Sequence, residues 1–173
     1  MLKVQYRPVS LPRIKRIYKY IVIHDTNCMY PHLDFTKVDD GKPRTSQLRA
    51  YSLIFDKKYD LNYHYLCQFI KTDYETFVGR PLYRLCEYED MSDLYQNGIH
   101  VCVFGDYNVI NGQQRMYQQL SYRVLAPMMF WFGIPIGNIK LHNQISTNKE
   151  IKCPGSQFDY NKMINNLKIY ILK

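Results

Sequence analysis

The residues of this chain with the most chemistry in them are its five histidines and five cysteines: His24, His32, His64, His100 and His142, and Cys28, Cys67, Cys86, Cys102 and Cys153. Two of the histidines share a position type. His24 ends the β-branched run Ile21-Val22-Ile23, and His142 follows Ile139-Lys140-Leu141, so each stands where a strand gives way to a loop. In open α/β sheets that is where sites are built. Cys153 stands directly before Pro154-Gly155. Two imidazoles and a thiolate form a three-ligand set for zinc, with a fourth position open to water, as in catalytic rather than structural zinc sites. Spacing alone does not single this reading out. A histidine at a strand end is more often a hydrogen-bonded structural residue, and a lone cysteine can be a small core residue, half a disulfide, a nucleophile or a ligand.

The other cysteines narrow the choice. They are widely spaced, odd in number and form no CxxC pair, which argues against a disulfide framework and a four-cysteine zinc module. Cys67 and Cys102 fall in strand-like runs and are expected to be buried apolar residues. The chain of 173 residues suits one domain with a real core, and its 46% apolar content is ordinary for a globular protein. No stretch reaches the ~18 apolar residues of a membrane span, so no span is expected. The N-terminus is basic without an apolar h-region, so no signal peptide is expected, and synthesis in a cytoplasm is expected with it. The formal net charge is +8. Residues 1–20 hold Lys3, Arg7, Arg13, Lys15, Arg16 and Lys19 and no acid. Such an arm suits polyanions, whether nucleic acid, anionic lipid or a bacterial wall, or is simply a solvated terminus.

These residues need elements to hold them. Residues 20–23 read as a buried strand ending at His24, and 30–44 as loop. Residues 45–58 read as a helix, with Leu48, Tyr51 and Phe55 at helical spacing. Residues 62–70 and 74–80 read as a strand pair about Lys71-Thr72-Asp73, and 99–105 as another buried strand. Residues 113–132 read as a helix with Met116, Leu120, Val124 and Met128 on one side, kinked or ended early by Pro127. Residues 139–141 form a short strand. The tail, 158–173, reads as a helix with Met163, Leu167 and Tyr170 on one face. The order β, α, ββ, β, α, β, α predicts an α/β sandwich with a mixed central sheet.

Five segments carry a resemblance: 20–27 (YIVIHDTN), 62–80 (NYHYLCQFIKTDYETFVGR), 98–108 (GIHVCVFGDYN), 133–146 (GIPIGNIKLHNQIS) and 153–159 (CPGSQFD). In this order they resemble the type 2 N-acetylmuramoyl-L-alanine amidase family, which includes phage amidase lysozymes and the peptidoglycan recognition proteins. The similarity runs from about residue 19 to 172. It implies a single α/β domain over 19–173 behind a basic arm at 1–18, with helices flanking the mixed sheet. It also implies one zinc ion held by His24, His142 and Cys153, and hydrolysis of the amide between N-acetylmuramic acid and L-alanine. Tyr63 then matches the family's strand tyrosine, a donor to the tetrahedral oxyanion. In an extended strand Tyr63 and His64 face opposite ways, making His64 structural. His32 and His100 match nothing in the family and are read as non-ligands.

The chain departs from the pattern in places. Two positions before the third ligand, where the family often has lysine or threonine, stands Ile151, which cannot move a proton. Lys149 and Lys152 are the nearby candidates, with Lys152 favoured. Where some members carry a glutamate on the central strand this chain has Cys102, which resembles the tyrosine-using branch. The loop at 86–98 is short. The expected function is therefore a zinc amidase acting on bacterial peptidoglycan, as a phage endolysin or virion-borne wall hydrolase, with phage particle or lysis proteins as further partners. The alternative is an amidase-fold binding or assembly module with little activity. A nucleic-acid role for the arm ranks third.

Overall fold

In the computed structural model the described residues are 17–26, 63–70, 73–86 and 96–172. The expected helix at 45–58, the loop at 30–44 and most of the loop at 86–98 lie outside them, as do Lys71, Thr72 and all of the arm before Ile17.

Five strands form one mixed sheet. They are β1 (Tyr20–Asp25), β2 (Tyr65–Ile70), β3 (Asp73–Val78), β4 (Gly98–Val103) and β5 (Ile139–Leu141), in the order β3-β2-β4-β1-β5. β2, β4, β1 and β5 run parallel, and β3 closes one edge antiparallel to β2. The mixed α/β reading is thus correct. The strand expected to end at His24 continues through Asp25, while β2 begins only at Tyr65 and leaves Tyr63 and His64 just ahead of it.

Register explains the unequal faces of the sheet. Ile21 and Ile23 of β1, Ile99, Val101 and Val103 of β4, and Ile139 and Leu141 of β5 all enter one apolar cluster. Residues of the other parity face the opposite side. There Val22 pairs with His100, His24 pairs with Cys102, and Leu66 pairs with Cys102. One face therefore carries branched aliphatic residues and the other carries histidine and cysteine. Both faces of β1 and β4 are buried, which is the usual condition of central parallel strands. Cys67 and Cys102 are fully buried, as expected.

Helices cover the apolar face. α1 (Gln114–Gln119) runs into a π-helical stretch (Leu120–Leu125) and then α2 (Ala126–Phe132), with helical backbone at both junctions. Met116, Leu120, Val124 and Met128 are all buried, as their spacing predicts. Four-residue steps overshoot a 3.6-residue turn by about 40° each. The wider π turns compensate and keep the stripe on the sheet. Pro127 does not end the helical run. It lies in the first turn of α2, just past the π stretch, where a missing N–H is tolerated. Ser121 in this stretch donates to the Met163 carbonyl at 2.8 Å.

That carbonyl belongs to the closing helix, α4 (Tyr160–Ile171), which follows a four-residue helix, α3 (His142–Ile145). Asp159 caps α4 by accepting the Lys162 N–H at 2.8 Å, so Phe158, expected inside the helix, instead packs below it in the core. Met163 and Leu167 are fully buried, but Tyr170 is 52% exposed and its ring lies against Tyr122 at 5.9 Å. The end of the tail helix runs past the helical layer that it packs on. Tyr18, the last residue assigned to the arm, is buried and packs edge-on against Phe132, with its hydroxyl on the Leu82 carbonyl.

Candidate metal centre

His24 lies near the C-terminal end of β1, and His142 is the first residue after neighbouring β5. Parallel pairing of the two strands brings the rings together, with centroids 4.6 Å apart. Cys153 returns to the same point, its Sγ 3.7 Å from His24 Nδ1. One ligand atom from each of His24, His142 and Cys153 falls within a common 4.8 Å, the one such group among the described residues.

Residues beside the two histidines hold the cysteine turn. Next to His142, Asn143 donates its backbone N–H to the Cys153 carbonyl at 2.7 Å and its side-chain amide to the Pro154 carbonyl at 3.2 Å. Next to His24, the Asp25 carboxylate accepts N–H groups from Gly155 at 2.8 Å and Tyr107 at 3.3 Å, and the Asp25 N–H points at Cys153 Sγ at 3.4 Å. The Cys153–Pro154 peptide is cis. Gly155 is required by close approach: a Cβ there would lie 2.2 Å from the Asn108 nitrogen and the Tyr107 carbonyl carbon.

Zinc–nitrogen and zinc–sulfur bonds of about 2.0–2.1 and 2.3 Å at a tetrahedral angle put N and S about 3.6 Å apart. The observed 3.7 Å fits that arrangement. Electrostatics agree with it. Burial, reinforced by His100, His142 and His64, lowers the His24 pKa well below the usual imidazole range, leaving the neutral form that can act as a ligand. Burial, then the Asp25 charge, pushes the Cys153 thiol well up. A dication is the kind of group that releases such a proton. Burial also raises the Asp25 carboxyl, despite the Gly155 and Tyr107 N–H groups that oppose the shift.

The Tyr63 ring is tilted against His24 at 5.3 Å, and its hydroxyl hydrogen-bonds the Cys102 thiol. Its backbone is pinned from beyond β3, where the Arg80 N–H donates to the Tyr63 carbonyl at 2.7 Å. His64 turns elsewhere. It is buried, its Nδ1 accepts the His100 backbone N–H at 2.9 Å, and its Nε2 donates to the Arg84 carbonyl at 3.1 Å. Lys152 is exposed, as is Lys149, while Ile151 is half-buried. Residues 148–151 form a turn, with the Ile151 N–H on the Asn148 carbonyl at 3.3 Å.

His100 is the residue that sequence reasoning undervalued. It is outside the three-residue cluster, yet its Nδ1 lies 2.9 Å from His24 Nε2. A signal was present. His100 has the parity of Cys102 on β4, so once β1 and β4 pair it must share the face of His24.

No family model matches the chain, and no curated protein matches it. Among solved structures, N-acetylmuramoyl-L-alanine amidase LysC from Clostridium intestinale URNW aligns over 88% of this chain and 86% of its own, with TM-score 0.58 and 18% identity. PlyL aligns over 87% and 84%, with TM-score 0.59 and 17% identity. Bumblebee PGRP-SA aligns over 84% and 80%, with TM-score 0.56 and 13% identity. The fold is therefore that of the amidases and peptidoglycan recognition proteins.

Proposed function

We propose that the protein is a zinc-dependent N-acetylmuramoyl-L-alanine amidase that cuts bacterial peptidoglycan. The observation that carries this reading is the convergence of His24, His142 and Cys153 at the C-terminal ends of adjacent parallel strands. The fold shared with LysC and PlyL supports it. When bound, zinc would supply a Lewis acid and lower the pKa of water. The chain's own residues would do the rest. His24 and His142 offer neutral nitrogens, and Cys153 offers a thiolate held by the Asp25 N–H. Tyr63, beside His24, would turn its hydroxyl from Cys102 to the developing oxyanion. Lys152, between that turn and Cys153, would bring a cation to the same oxygen. Release from a phage-infected cell, or carriage on a particle, is the setting in which a wall hydrolase of this kind would act. No helix among the described residues is long and apolar enough to cross a membrane.

A second reading is a wall-binding module of the same fold with little activity. Ile151, half-buried where a proton-transferring residue is expected, favours it. One experiment separates the two: zinc content of the purified protein, measured beside turbidity loss and new alanine amino termini from purified walls. One zinc per chain with release of alanine termini supports the amidase. Zinc without release supports the binding module, and absence of zinc removes the basis of the first reading.

A further inference from the structure

We infer that His100 is a positioning residue for the metal centre: it accepts the Nε2–H of His24 and thereby presents His24 Nδ1 to the metal. The inference rests on the metal reading above and names what holds its first ligand.

Geometry assigns the roles. His24 has two ring nitrogens. Nε2 lies 2.9 Å from His100 Nδ1, a full hydrogen bond between buried rings. Nδ1 lies 3.7 Å from Cys153 Sγ, at the mouth of the three-ligand cluster. A neutral imidazole carries one proton. If the proton sits on Nδ1, His24 cannot bind a metal at that atom. If it sits on Nε2, the bond to His100 is satisfied and Nδ1 turns a lone pair toward Cys153 and the cluster. Ligating histidines generally donate their other N–H to a carboxylate, carbonyl or water, which fixes tautomer and ring angle. Here a second imidazole takes that place.

His100 is itself held. Its backbone N–H donates to His64 Nδ1 at 2.9 Å, and His64 must then carry its proton on Nε2, which meets the Arg84 carbonyl at 3.1 Å. The chain His24–His100–His64 thus ties the ligand to the segment after β3. Pairing of Val22 with His100 places the two rings on one face without distortion of either strand. All three residues are buried.

The test uses the full chain with 15N-labelled histidine and three proteins: wild type, His100→Asn and His100→Leu. The asparagine oxygen can replace Nδ1 as acceptor, and leucine cannot. In metal-free wild type, His24 is expected as the Nε2–H tautomer. Chelator competition should then show zinc affinity close to wild type for His100→Asn and about 10–100-fold weaker for His100→Leu. An Nδ1–H tautomer in metal-free wild type overturns the inference, as does wild-type affinity in His100→Leu. Should the leucine variant fail to fold, the tautomer and the asparagine variant decide: loss of affinity in a folded His100→Asn also overturns it. A purely structural role would lower the melting temperature of the variants without changing affinity. Wild-type protein that takes up no zinc would refute the metal reading, whereas the tautomer of His24 would still report on His100, so the two ideas can fail separately.

Discussion

Asp25 and Gly155 lie 130 positions apart and are joined by a 2.8 Å hydrogen bond from the glycine N–H to the aspartate carboxylate. The same oxygen also takes the Tyr107 N–H. Asp25→Ala would leave two buried donors unsatisfied, at about 1–3 kcal/mol each. The expected result is a large loss of stability in urea unfolding together with weaker zinc binding, because the turn carrying Cys153 loses its anchor. A variant with wild-type zinc affinity would show that the turn is held by Asn143 alone.

Gly155→Ala tests the other side of that contact. The added methyl would meet backbone atoms at 2.2 Å, and backbone cannot rotate away as a side chain can. The turn must shift, with a cost of at least about 1–3 kcal/mol. Denaturant midpoints measure the cost, and an unchanged midpoint would contradict the packing described.

Tyr63→Phe keeps the ring against His24 and removes only the hydroxyl. Turnover on purified walls is expected to fall by about 10²–10³ with zinc still bound. Equal turnover would leave Tyr63 as a wall of the site.

Lys149→Met and Lys152→Met, assayed on the same walls, ask whether a cation substitutes at the place where Ile151 cannot serve. Both side chains are exposed, so neither change should disturb folding. A loss confined to Lys152→Met is the expected outcome. A loss confined to Lys149→Met would move the role four positions from Cys153, and no loss in either would leave Tyr63 and the metal to act unaided.

The sequence made the sheet readable because its central strands are short β-branched runs with no competing period. His24 and His142 were legible as strand-end residues for the same reason. The meeting of Cys153 with them was not legible from spacing, since it depends on which strands are neighbours, and only the resemblance suggested it. Pro127 does not end the helix early because it falls in the first turn of α2, directly after π turns that no sequence period announces. Tyr170 shares the face of Met163 and Leu167 without sharing their burial, because a helical face can extend past the surface it packs on. His100 has no counterpart in the resemblance, and its place beside His24 follows from parity, a property of strand pairs that one strand does not display.

The parallel order β2-β4-β1-β5 also bears on folding kinetics. Strand partners here are distant in sequence, and Cys153 meets His24 across 129 positions. Such non-local contacts form slowly and late. A metal held by these residues cannot nucleate the chain as it does in a zinc finger, because the set closes only when His24 meets His142 and Cys153, more than a hundred positions further along the chain. It would act as a latch that closes on an assembled sheet. Zinc should therefore slow unfolding while leaving the refolding rate nearly unchanged, the behaviour of interactions absent from the transition state. Stopped-flow chevrons with and without zinc would show it, and a faster refolding limb would place the metal site in the folding nucleus instead.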